Sequence, residues 1–130
     1  KLMTSFLFSI CVFSTPLILL LMGGLFYKFP PKTINHHYGY RTTRSMKTPE
    51  TWAFAQWHNA RLIIRYSLTC LALTCLCTGF LLTRPISLTE RQMTIALVVI
   101  INLQVVLMLV YLFSTEKALK KYFDADGNPV

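Results

Sequence analysis

The sequence has few charged residues and very few acidic ones. Of its 130 residues only 14% are charged, five acidic and thirteen basic, whereas about 25% of an ordinary soluble domain is charged. No paired carboxylates suited to acid–base chemistry and no Gly-rich phosphate loop occur. Ser45, Glu50 and His58 lie near one another in sequence, but nothing orients them as a catalytic triad. We therefore expect a protein that is not an enzyme.

The four cysteines, Cys11, Cys70, Cys75 and Cys77, lie only in uncharged runs. That placement excludes the disulfide framework of a small secreted domain. The cysteine spacing lacks a paired Cys-x-x-Cys set, and the histidines His36, His37 and His58 have no acid or Cys at ligand spacing. We expect no metal site and no cofactor.

Long hydrophobic runs dominate what remains. Apolar residues make up 54% of the chain, and runs 2–27, 66–83 and 92–115 carry no charge. About 20 mostly apolar residues cross a bilayer as a helix, so an ordinary soluble globule is excluded. The pattern predicts an all-α integral membrane protein, residues 1–130 forming a single membrane domain. Its three transmembrane helices are predicted at about 4–27, 62–83 and 92–115.

The connection 28–61 changes character halfway along. Thr48 is a suitable N-cap, and Pro49 suits the first position of a helix. Trp52 and Trp57 suit the depth of the lipid headgroups. We expect a short interfacial helix that bends into the second span or continues as that span.

Four residues are unusual inside the three predicted spans. Pro16 lies in the middle of the first run, where a kink is expected. Asn102 and Gln104 lie in the third run, about 200° apart on a helical wheel. They cannot both face one neighbour, so one is expected to face the bundle and the other a subunit contact or a cavity. Arg65 lies near one end of the second span, one turn inside it, and its side chain can extend to the interface. We predict intramembrane polar contacts at Arg65, Asn102 and Gln104.

The distribution of cations predicts an orientation. With three spans, the connection 28–61 and the tail 116–130 share one side of the membrane. That side holds ten of the thirteen basic residues, namely Lys28, Lys32, Arg41, Arg44, Lys47, Arg61, Arg65, Lys117, Lys120 and Lys121. The other side holds Lys1, Arg84 and Arg91. The positive-inside rule then puts the motif loop 28–61 and the tail in the cytoplasm and the N-terminus outside. We accordingly expect anionic lipid headgroups as partners, and no nucleic acid.

The densest polar segment runs from His36 to Lys47. It combines aromatic rings, a glycine and three cations, and its Arg side chains suit a phosphate headgroup or a carboxylate. The alternative is an ordinary solvated loop on the positive side. The binding residues predicted for this loop are Gly39, Tyr40, Arg41, Thr42, Arg44, Ser45, Lys47 and Trp52.

Two motifs resemble those of the bacterial SdpI family of membrane proteins. One is Gly39-Tyr40-Arg41-Thr42-Thr43-Arg44-Ser45-Met46-Lys47 followed by Trp52-Ala53-Phe54-Ala55; the other runs from Thr115 to Gly127. The family's tail motif corresponds here to Glu116, Lys117, Lys120, Asp124 and Gly127. The resemblance implies the bacterial inner membrane and an immunity or signalling role against a membrane-active peptide toxin. It also implies that the protein has a partner, either that peptide or a transcriptional repressor held at the membrane.

The intramembrane polar residues leave other functions open. One is an accessory subunit of a larger membrane complex, or a homo-oligomer, in which the mid-membrane amides meet a partner. Another is a small transporter or lipid-binding module, with Arg65, Asn102 and Gln104 lining a polar cavity.

Overall fold

Three long helices make up most of the molecule. The computed structural model describes residues 2–83 and 88–130, which form α1 (Leu2–Lys28), α2 (Pro49–Thr83) and α3 (Glu90–Tyr122). All three helices are long and apolar enough to cross a membrane. The predicted all-helical class with three spans is therefore confirmed.

A separate interfacial helix is not confirmed. Helix α2 begins at Pro49 and continues without a break to Thr83, because residues 50–78 contain neither Pro nor Gly to interrupt it. The predicted N-cap is confirmed: the Thr48 hydroxyl accepts a hydrogen bond from the Thr51 backbone N–H at 3.1 Å. Only residues 29–48 of the predicted loop are non-helical.

Helix α2 runs antiparallel to α3. The Tyr66 hydroxyl donates to the Gln104 carbonyl at 2.8 Å, and His58 Nδ1 lies 3.4 Å from the Thr115 hydroxyl. Partner numbers in α3 therefore rise as those in α2 fall. The start of α3 is fixed by a capping box at Thr89. The predicted connection between these helices lies partly at residues 84–87, outside the described residues, as do the cations Lys1 and Arg84.

Helix α1 packs closely against α2 at Gly23. A Cβ atom at that position would lie 2.9 Å from Ile63 Cγ2, so only glycine lets the two helices approach this far. Along the same face of α1, Phe8 and Val12 are buried. The core of the bundle therefore forms where α1 lies against its neighbours.

One buried amide joins all three helices. Pro16 in α1 has no N–H, so the Val12 carbonyl lacks its usual helical donor. Gln104 of α3 supplies the missing hydrogen bond from Nε2 at 2.9 Å and also lies 3.4 Å from the Thr74 hydroxyl of α2. Its side chain is buried, whereas Asn102 is exposed and donates to the Val98 carbonyl of its own helix. The two amides thus point in different directions, as their spacing implied.

Candidate functional site

The motif loop and the C-terminal segment meet at one carboxylate, Glu116, in the last turns of α3. Its Oε2 accepts hydrogen bonds from the Tyr40 hydroxyl at 3.1 Å and the Thr42 hydroxyl at 3.0 Å. Its Oε1 lies 3.9 Å from Nε of Arg44, the one ion pair within residues 2–83 and 88–130. We call these four residues the loop–tail clamp. These contacts hold the loop against the last turns of α3.

Burial changes the chemistry of Tyr40 in the clamp. The pKa of its hydroxyl is raised above the ordinary value of 10.0, first because the ring is partly buried and then because the Glu116 carboxylate accepts its proton in a hydrogen bond. The neutral phenol is therefore the form that the clamp holds. It remains a donor to Glu116 throughout the physiological range.

A second anchor comes from Gln56 of α2. Its Oε1 accepts from the Tyr40 backbone N–H at 2.7 Å, and its Nε2 donates to the Tyr40 carbonyl at 2.9 Å. The preceding Gly39 has φ +105, and a Cβ there would lie 2.7 Å from Gln56 Oε1. Glycine is therefore required both by the backbone conformation and by the space. Sequence reasoning missed Gln56; its signal was a polar residue one helical turn after Trp52, at a position of the buried face.

Hydroxyl groups close the loop between these anchors. The fully buried Ser45 accepts a hydrogen bond from the Thr42 backbone N–H at 2.8 Å, and its hydroxyl lies 3.1 Å from the Tyr40 carbonyl. The equally buried Thr51 hydroxyl lies 3.1 Å from the Ser45 carbonyl. Ser45 therefore shapes the loop and offers nothing to a ligand at the surface.

Trp52 does not form an exposed surface with Trp57. The sequence placed both rings at headgroup depth, but Trp52 is only 1% exposed while Trp57 is 48% exposed. The Trp52 indole N–H donates to the Pro31 carbonyl at 2.7 Å. This buried hydrogen bond ties the start of the loop to α2, which explains why the ring turns inward.

The C-terminal tail folds back onto the same loop. Asp124 Oδ1 accepts from the backbone N–H groups of Asp126 at 2.9 Å and Asn128 at 2.8 Å. These donors, the Asn128 N–H first, lower the pKa of the Asp124 carboxyl. The Gly127 carbonyl accepts from the Thr48 hydroxyl at 3.4 Å. The carbonyl of Phe123 accepts from Arg44 at 3.4 Å, so the tail touches both the loop and the cap of α2.

Other predicted site residues face outward. The exposed cations among them are Arg41, Lys47, Lys117, Lys120 and, on α2, Arg65. Arg41 donates a hydrogen bond to the His36 carbonyl, which holds its side chain beside the loop. The predicted set therefore includes both inward-facing residues that build the loop and cations whose side chains are exposed.

A cavity of about 730 Å³ opens beneath the loop. Residues 39–43 and Glu116 form its polar end, and side chains of all three helices form its apolar walls. Arg65, Asn102 and Gln104 are not among the lining residues that the structure describes. The cavity beneath the loop is therefore not the polar cavity that the sequence suggested for these three residues.

Comparison with known proteins identifies one family. A model of the SdpI/YfhL protein family matches residues 32–115, which include most of the loop, all of α2 and most of α3. The YfhL protein of Bacillus subtilis (strain 168) is 47% identical over 47 residues, which is 35% of this chain and 43% of that relative. The match thus spans less than half the length of YfhL. No solved structure matches the chain.

Proposed function

This chain belongs to the SdpI/YfhL protein family, and we propose that it is a non-enzymatic membrane protein with an immunity or signalling role against a membrane-active peptide. The observation that carries the proposal is the loop–tail clamp. It joins the family's loop motif to α3 through one carboxylate. A peptide that displaces α3 in the membrane would therefore move the loop as well.

The clamp also changes which residues are available to a partner. The sequence analysis lists Arg44 and Trp52 among the binding residues of the loop. In the structure Arg44 forms an ion pair with Glu116 and Trp52 is buried, so neither is fully exposed to a partner. Arg41, Lys47 and Trp57 are exposed. We infer that a peptide, or an anionic partner such as a repressor held at the membrane, meets these three side chains.

The orientation belongs to the same proposal. Because ten of thirteen cations flank the loop and the tail, we infer that both face the bacterial cytoplasm and that the N-terminus is outside. A cytoplasmic loop suits a signalling contact with a soluble protein. A reporter enzyme that is active only outside the cytoplasm, fused after Val130, tests this inference. Activity of that fusion would contradict the inferred orientation.

Protection of sensitive cells tests the proposed role. Cells expressing the full chain are challenged with a membrane-active peptide toxin, and survival is compared with Glu116→Gln and with the matched control Glu90→Gln, which changes an exposed acid at the other end of α3. We expect the native chain and the control to raise survival and Glu116→Gln to lose most of the effect. Killing that the native chain leaves unchanged would contradict the immunity role.

An accessory role in a larger complex is the second candidate, and the exposed Asn102 favours it. An amide on the outer face of α3 is unusual for a surface that meets only lipid. Purification in mild detergent separates the candidates. A foreign subunit in fixed stoichiometry would support the complex, and a chain that purifies alone would contradict it.

A further inference from the structure

The cavity beneath the loop reaches into the apolar part of the bundle. Its walls include Leu19 of α1, Leu62 of α2, and Met108 and Leu112 of α3. Met108 and Glu116 are eight residues apart on one helix, so the lining extends about 12 Å along α3 at 1.5 Å per residue. That depth is less than half of a hydrocarbon core about 30 Å thick. The cavity therefore lies within one leaflet.

The polar end of the cavity holds one cation and one acid. Arg41 is the one cation among its described lining residues, and it is not part of the ion pair found in the described chain. The lining acid, Glu116, lies 3.9 Å from Arg44 Nε and accepts two hydroxyl hydrogen bonds, so its carboxylate already has partners. An anion at the rim would meet the Arg41 guanidinium without repulsion from a free carboxylate. Guanidinium groups bind phosphate oxygens strongly and with defined geometry.

We propose that this cavity binds an anionic phospholipid of the surrounding leaflet, with one acyl chain between α2 and α3 and the phosphate beside Arg41. An apolar gap between membrane helices does not hold ordered water, which needs several polar partners. A cavity of about 730 Å³ falls within the roughly 300–1,000 Å³ of ordinary ligand sites.

A peptide suits the deep part of the cavity less well than an acyl chain. The backbone N–H and C=O groups of an extended peptide need partners in hydrocarbon. The walls there are helices, whose own backbone groups are already paired, and the lining side chains at that depth are mainly apolar. An acyl chain asks for no such partners. The phospholipid therefore matches both the walls and the rim.

Native mass spectrometry of the purified full chain tests the proposal. The chain is titrated with phosphatidylglycerol, and separately with zwitterionic phosphatidylcholine, and the retained lipid is counted. Arg41→Gln removes the rim charge, and Lys32→Gln removes an exposed charge of the same connection that does not line the cavity. We expect phosphatidylglycerol to bind about tenfold more weakly to Arg41→Gln, as for a lost charge-assisted hydrogen bond, and unchanged to Lys32→Gln.

A second pair of variants tests the acyl-chain position. Leu112→Trp places a ring in the cavity, whereas Leu109→Trp adds the same ring on an exposed part of α3 outside the lining. Retained lipid should fall only for Leu112→Trp, with the helix content of both variants equal by circular dichroism. Equal binding of both lipids, equal loss in either matched pair, or a co-purified peptide in the cavity would overturn the proposal. No toxin is present, so the result is independent of the peptide role.

Discussion

The hydrogen bond from Gln104 to the Val12 carbonyl makes a prediction that a double-mutant cycle can test. Pro16 deprives that carbonyl of its helical donor, and Gln104 replaces the donor from another helix at 2.9 Å. Gln104→Leu removes the amide without adding a polar group and leaves the carbonyl unpaired in the bundle. We expect the free energy of unfolding to fall by about 1–2 kcal/mol, near the upper end for hydrogen bonds between membrane helices.

The informative comparison is the same substitution in a Pro16→Ala background. Alanine restores the backbone N–H at position 16, so the Val12 carbonyl regains a donor within α1. We expect Gln104→Leu to cost about 1 kcal/mol less there, because the carbonyl is no longer left unpaired. Any packing that Pro16→Ala itself loses is common to both arms of the cycle and cancels.

Unfolding of the four proteins in mixed micelles, followed by circular dichroism, measures this coupling. Asn102→Leu is the matched control, since within residues 2–83 and 88–130 that exposed amide bonds to the Val98 carbonyl of its own helix and to no other helix. It should change the unfolding free energy by no more than about 0.5 kcal/mol. The reasoning is refuted if Gln104→Leu costs the same in both backgrounds to within about 0.5 kcal/mol.

Three further predictions concern the loop and the tail. Gly39→Ala should lower the unfolding temperature, because φ at this position is +105 and the new Cβ would lie 2.7 Å from the Gln56 side chain. Gly24→Ala should not lower it, because a Cβ there has no atom within 4 Å. Equal thermal shifts for the two variants would contradict this. The raised pKa of Tyr40 means that its contribution to stability is present below pH 10.0 and lost as the pH rises through the higher folded value. Tyr40→Phe should therefore remove phenolate absorbance that appears only above pH 10.0, and unchanged absorbance there would contradict this. The lowered pKa of Asp124 means that its turn is stabilised above pH 3.8 and loosens as the pH falls through the folded value; a carboxyl midpoint at or above 3.8 by NMR would contradict it.

Local sequence patterns predicted the three long helices, the N-cap of α2 and the different directions of two amides in α3. Uncharged runs of sufficient length are enough to predict spans, because every backbone group in hydrocarbon must be paired within its own helix. Thr48 and Pro49 predicted the start of α2, because helix capping depends on only a few neighbouring residues. The angle between Asn102 and Gln104 on a helical wheel likewise follows from helix geometry. The different directions of these two side chains could therefore be predicted from the sequence.

Hydrogen bonds between residues that are distant in sequence could not be predicted from local patterns. Gln104 and Val12 are 92 positions apart, and Gln56 and Tyr40 are 16 apart; no periodicity relates such residues. The inward turn of Trp52 depends on the Pro31 carbonyl, a partner in a non-helical segment whose path the sequence does not give. The binding roles predicted for the loop remain predictions, although the structure separates the residues that shape the loop from those that face outward.

The loop–tail clamp also bears on how parts of such a protein can be exchanged. Tyr40 and Thr42 on one side, and Glu116 on the other, are 76 and 74 positions apart yet share one oxygen atom. A chimera that takes the loop from a relative while keeping a different residue at position 116 would lose three contacts at once. Transplanting residues 39–48 together with 116–127 keeps donors and acceptor matched. The smallest unit that can be moved intact between relatives is therefore discontinuous along the chain.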